Sequence, residues 1–137
     1  MTTALDGLGE PGATFLAERH LATLSTSGPG GLIHVVAVGF TCWDGVVRVI
    51  TSDGSQKVRN VERDPRATVA QVDRSRWLSI AGQAVVERDP EAVALAEELY
   101  ARRYRPPRVN PRRVVIRLTP QRLLGSRSLL APGRNTP

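Results

Sequence analysis

Cysteine, lysine and aromatic side chains are almost missing from this chain of 137 residues. A single cysteine, Cys42, excludes a disulfide within the chain, and with only His20 and His34 beside it a zinc site of Cys and His ligands has too few members, so no metal is expected. Aromatics form 4% of the sequence, poor material for stacking on nucleic-acid bases. No apolar run approaches the roughly 20 residues of a membrane span. Met1 to Pro11 lacks the basic start and apolar core of a secretory signal. A soluble cytoplasmic protein without a membrane partner is the expectation.

What remains is ordinary globular material with an unusual charge. Hydrophobic residues make up 41% and charged residues 23%, and the length suits one domain. The formal net charge is +6, and every cation but Lys57 is an arginine. Such a balance invites a nucleic-acid reading. Yet the arginines are spread from Arg19 to Arg134, and the cluster of Arg102, Arg103, Arg105 and Arg108 surrounds two prolines. No nucleic-acid partner is expected; a small polyanionic ligand would use the same charge.

Residues 11–19 read as a short opening helix and His20 to Thr26 as a strand closed by Gly28-Pro29-Gly30-Gly31. Leu32 to Trp43 forms one long β-branched run, and Asp44-Gly45 signals a hairpin into Val46 to Ser52. Helical spacing follows from Ser55 to Arg63, stopped by Asp64-Pro65. Ala67 to Val72 and Trp77 to Glu87 are further strands, the second with a bulge expected at Gly82. Asp89 and Pro90 open a helix that runs to about Tyr104, with Val93, Ala96, Tyr100 and Tyr104 on one face. Residues 105–112 form an extended loop, and Val114 to Leu118 and Arg122 to Leu124 complete the strands. Residues 1–12 and 127–137 are expected to be flexible ends around one domain at 13–126. Six or seven strands with short helices between them make a mainly β, antiparallel barrel.

No nucleophile elbow, metalloprotease helix or phosphate loop ending in Gly-Lys-Ser/Thr is present. If the chain is an enzyme, a cofactor carries the hard chemistry. The informative segment is Thr51-Ser52-Asp53-Gly54-Ser55-Gln56-Lys57. Ser55 can cap the helix that follows, whose first N–H groups are free to receive an anion. Lys57 in the first turn opposes the helix dipole, a penalty that a docked phosphate would reverse. A plain helix cap with a solvated lysine fits the same residues. In the strand before it, Val35, Ala37, Gly39 and Thr41 offer a face small enough for a flat ring, and His34, Val36, Val38 and Phe40 an ordinary core face.

Together, HVVAVGF at 34–40, VITSDGSQKVRNVERDP at 49–65 and RWLSIAGQAVV at 76–86 resemble the flavin and deazaflavin oxidoreductases of the pyridoxamine 5′-phosphate oxidase-like split β-barrel superfamily. The order of elements matches over most of the chain. Within that superfamily, YARRYRPPRVNPRRVVI at 100–116 is most similar to the mycobacterial-type biliverdin reductases that use coenzyme F-420. The resemblance implies a homodimer of split barrels with cofactor sites at the interface. It lays His34, Val35, Val36, Ala37, Val38 and Gly39 along the deazaflavin ring, and Ile50, Thr51 and Ser52 against ring and ribityl chain. Ser55, Gln56 and Lys57 would bind the phosphate, with Asn60 supporting that loop, and Arg76, Trp77 and Leu78 would reach the site from the other subunit. The coenzyme supplies the hydride, so no general base is required.

Two departures narrow the implied activity. Flavin mononucleotide (FMN) members carry an Arg-Lys pair at the phosphate where this chain has Gln56-Lys57, and the single lysine suits the phosphate diester of coenzyme F-420 better. No Trp follows Gly125, which argues against vitamin B6 oxidation. The implied acceptor is an anionic conjugated molecule, biliverdin first, with Arg103, Arg105, Arg112 and Arg113 as candidate counterions for its propionates. An FMN-dependent oxidase or reductase, and a flavin- or haem-binding module without turnover, are the alternatives.

Overall fold

The computed structural model describes residues 3–133. Its frame is seven antiparallel strands: β1 (Ala22–Ser27), β2 (Ile33–Val38), β3 (Phe40–Trp43), β4 (Val46–Ser52), β5 (Arg66–Asp73), β6 (Arg76–Glu87) and β7 (Arg113–Gly125). They form one sheet in the order β2-β1-β5-β6-β7-β4-β3. Three helices accompany it: α1 (Glu10–Ala17), α2 (Gln56–Arg63) and α3 (Pro90–Arg103). No helix among the described residues is long and apolar enough to cross a membrane.

The expected single run from Leu32 to Trp43 is two strands, and they occupy opposite edges of the sheet. Only Gly39 separates them, so the sheet must curl until its edges meet at that residue. A split barrel results. Gly39 is the corner because a Cβ there would lie 3.0 Å from the Tyr104 ring and 3.2 Å from that of Tyr100. Asp44 and Gly45, both at positive φ, make the tight β3–β4 hairpin turn that the sequence signals.

At Gly82 the expected bulge is present as a register shift against β7. A Cβ on Gly82 would sit 1.9 Å from the Thr119 carbonyl oxygen, which only glycine allows. The two short strands expected at 114–118 and 122–124 are one strand, because the bulge absorbs the irregularity at Pro120 and pairing resumes with Ala81 and Arg122.

Inward residues of every strand fill the curl, among them Leu24, Phe40, Val49, Val69, Ile80 and Leu118, with Phe15 of α1 and Val58 of α2 closing it. Val114, Val115 and Ile116 are buried in succession, so both faces of β7 are covered there. α3 provides the second cover, with Ala96 and Leu99 buried on the outer side of the sheet. Asp89 caps that helix as expected, accepting from the Ala92 N–H.

Parts of both ends are built into the fold. Thr3 caps a 3-10 turn at Ala4–Gly7, α1 begins at Glu10, and Leu129 and Leu130 are buried. Gly9 N–H donates to the Leu129 carbonyl and Ala131 N–H to that of Gly7. Apolar side chains at 129 and 130 thus tie the two termini together over one end of the barrel. Residues 1, 2 and 134–137 of the expected flexible ends lie outside the described residues.

Candidate functional site

A cavity of about 330 Å³ opens at the Gly39 corner. Ala37, Val38 and Gly39 form one wall, Ile50 and Thr51 of β4 another, and Lys57 enters from α2. Tyr100 of α3 and the 105–112 strap, through Arg105, Pro107 and Arg108, cover it, with Arg113 at the start of β7. Strand alternation makes the β2 wall low, since Val35 and Ala37 face outward while Val38 turns into the core. Thr41, expected on that small outer face, is instead buried beyond the Gly39 corner.

The turn before α2 is built as an open helix start. Ser55 occupies the cap position, but its side chain makes no capping hydrogen bond. Its Oγ lies 3.5 Å from Thr51 Oγ1 instead, so the first N–H groups of α2 keep no side-chain acceptor at the cap. Lys57 is partly buried in that first turn, and burial alone pushes its pKa below the usual lysine value. Asn60 is fully buried and donates to Thr26 Oγ1 (3.0 Å), while its own Oδ1 accepts from Gln56 Nε2 (2.7 Å). Asn60 therefore anchors α2 to β1, and the Gln56 amide is held along the helix.

Of the candidate arginines, Arg103 is committed elsewhere. It donates to the carbonyls of Glu18 (2.8 Å) and Phe40 and to Gln71 Oε1, and lies over the Phe40 and Tyr104 rings. The adjacent Tyr104 hydroxyl points at the carbonyls of His20 and Phe40. These two residues rivet the end of α3 to the corner, and Arg103 does not line the cavity. Arg112 lies outside the cavity lining, with its guanidinium on the Asp53 carbonyl (2.9 Å). Arg113 lines the cavity but pairs with Glu97 (2.7 Å) and donates to the Arg108 carbonyl (2.8 Å). Its Nε is buried without a partner. Arg105 lines the cavity, and Arg108 joins it.

Cations thus predominate around a cavity with a flat, low-sided wall. A family model described as pyridoxamine 5′-phosphate oxidase matches residues 10–126. The chain belongs to the pyridoxamine 5′-phosphate oxidase family. It is 50% identical over 133 residues to a biliverdin reductase dependent on reduced coenzyme F-420 from Mycobacterium tuberculosis, covering 95% of this chain and 96% of that protein. Among solved structures, a conserved hypothetical protein of the same organism aligns at TM-score 0.76 and 26% identity, over 91% of this chain and 89% of that one. An F-420 reductase aligns at TM-score 0.69 and 26% identity, over 80% of this chain and 93% of that one.

Other residues singled out in the sequence fall elsewhere in this family fold. His34 and Val36 face the interior of β2, and the His34 Nδ1 is buried without a partner. Val35 is exposed on the outer face, away from the cavity lining. Leu78 is 1% exposed in the core, so its side chain reaches no surface. Trp77 is registered beside Val72 on the outer face, and Arg76 pairs with Asp73 (2.7 Å) and Glu18 (3.4 Å) over the Phe15 ring. Neither lines the cavity of its own chain. Tyr100, Pro107 and Arg108 were not singled out; the helical face through Tyr100 was the signal for the first. Among the described residues no group of three His, Cys, Asp or Glu side chains is placed to hold a metal ion.

Proposed function

We propose that this protein is a coenzyme F-420-dependent reductase that passes hydride to an anionic conjugated acceptor, biliverdin being the first candidate, and that it works as a homodimer. The observation that carries this reading is the cavity itself, where Lys57, Arg105, Arg108 and Arg113 converge on a small-residue wall. Among the described residues, only Arg113 of these four has a carboxylate partner, Glu97.

The residues fit the coenzyme chemically. Lys57 and the open start of α2 suit one phosphate diester. The Ala37 to Gly39 wall, with Ile50 and Thr51, lets a planar ring lie against backbone. The unpartnered Arg113 Nε supplies a donor directed at no protein acceptor. When bound, the reduced coenzyme supplies a hydride, and the chain's task is binding, orientation and charge compensation. Arg105 and Arg108 are placed to take carboxylates of the acceptor. Cys42 is no acid or nucleophile here, since burial raises its pKa to about 11. The strong relative supports the coenzyme and the acceptor alike.

The second subunit is supported by a bare apolar face. Ile33 is 80% exposed, Val72 66% and Val35 54%, with Leu32 beside them. Trp77 and Arg76 border this face and would reach a neighbouring copy's cavity across it. The test is to mix the protein with reduced coenzyme F-420 and biliverdin. Bilirubin should form well above the uncatalysed rate; no acceleration would remove biliverdin as acceptor. Binding of FMN with indifference to the deazaflavin would replace the coenzyme.

A further inference from the structure

The strap at 105–112 does more than cover the cavity. Its second half grips the three residues that precede the open start of α2, one after another. Asn110 Nδ2 donates to Ser52 Oγ (2.8 Å). The Asp53 N–H donates to the Arg112 carbonyl (2.8 Å), and the Arg112 guanidinium returns a bond to the Asp53 carbonyl (2.9 Å). The same guanidinium lies against Gly54, where a Cβ would be 3.0 Å from it.

Asn110 also shapes the strap, its Oδ1 accepting from the Arg112 N–H at 2.9 Å. From the opposite side Arg88 holds the Asp53 carboxylate by two bonds of 2.8 and 3.1 Å, which keeps that carboxyl below the usual range. Ser55 N–H donates to the Ser52 carbonyl, so a turn fixed at 52–54 fixes where Ser55, Gln56 and Lys57 stand.

We infer that Arg112 is a positioning residue for the anion-receiving turn: it touches no ligand itself and sets coenzyme affinity through Asp53 and Gly54. The inference rests on the reading of the cavity as a coenzyme site. It also explains why a cation stands outside the cavity at a place where the sequence pointed to a substrate counterion. The strap is one piece, carrying Arg105 and Arg108 to the acceptor side while Asn110 and Arg112 hold the phosphate side. Loss of the Arg112 guanidinium removes one hydrogen bond to the turn and leaves the backbone bond of the same residue in place.

Two measurements on Arg112→Ala and Arg112→Lys test this. In the ligand-free protein, amide hydrogen exchange across 53–57 should quicken by about tenfold in Arg112→Ala and stay near wild type in Arg112→Lys. Coenzyme F-420 affinity, read by fluorescence titration, should fall roughly 3- to 10-fold in Arg112→Ala, the worth of one hydrogen bond. Added to Lys57→Ala, the second substitution should cost less than about twofold more, because both act through one turn. Unchanged exchange overturns the inference. So does a loss that adds fully to that of Lys57→Ala, which would mean separate direct contact. Were the wild type not to bind coenzyme F-420, the proposed function would fall instead; exchange and an FMN titration would then decide the role of Arg112.

Discussion

The sheet has two halves that share one core and meet different fates on their outer sides. Over β7, β4 and β3 the outer side is roofed by α3 and the strap, which bury Val115, Ala96 and Leu99 and leave a charged cavity at the corner. Over β2, β1 and β5 nothing among the described residues covers the outer side, and Ile33, Val35 and Val72 stand in the open. Outward residues of β1 and β5 between them are small, with Thr23 and Ser25 registered against Ala70 and Thr68. One half is finished by the chain itself. The other is apolar in patches, with Arg66 exposed at one end, a surface that water tolerates poorly and a second sheet would cover well. The cavity sits where the finished half ends, so a single chain gathers Lys57, Arg105, Arg108 and Arg113 around it but leaves Trp77 and Arg76 outside its lining.

Substitutions in each half probe this contrast. The largest effect belongs to Gly82→Val at the seam between the halves. Backbone oxygen occupies the space its Cβ would need, so loss of cooperative folding is expected by calorimetry, beyond the roughly 4–5 kcal/mol that marks exceptional substitutions. Next comes Ile33→Glu on the bare half. Each charge is met twice in a symmetric dimer, and light scattering should report monomer, with the melting temperature moving by only about 2–4 °C. A dimer that survives this change would place the interface on the roofed half.

On the roofed half, coenzyme affinity should be level through neutral pH. It should then fall as pH rises through the Lys57 pKa, which burial holds below the usual lysine value of about 10.4, since only the charged form receives the phosphate. Lys57→Arg should keep affinity level across that range, because a guanidinium stays charged. The smallest effect is expected of Glu97→Gln. Removing the counterion of Arg113 leaves more net positive charge at the cavity, and the KM for an anionic acceptor should fall about two- to fivefold, the scale of a partly screened charge interaction.

Local chemistry was readable in the sequence wherever a residue type answers a backbone demand. Asp44-Gly45 at the hairpin, Gly82 at the bulge and Asp89-Pro90 at the start of α3 are of this kind. Alternation along Leu32 to Trp43 marked strand but could not show that its halves lie on opposite sheet edges, which depends on pairing with distant strands. Of the site, the Ala37 to Gly39 wall, Ile50, Thr51, Lys57 and Arg105 stand in the cavity. The arginines were the hard part. Arg103, Arg112 and Arg113 find acceptors in carbonyls of Phe40, Asp53 and Arg108, and a backbone carbonyl leaves no mark in a sequence. Ser55 had the right place for a cap, yet its hydroxyl turns toward Thr51.

The reading of the cavity turns on Lys57, proposed to receive the phosphate of a deazaflavin coenzyme at an open helix start. Fluorescence titration of coenzyme F-420 against the wild type and Lys57→Ala tests it most directly. Saturable binding by the wild type and a loss of about 10- to 100-fold in the variant are expected, the range of one charge-assisted hydrogen bond. Equal affinities for the two proteins would contradict it.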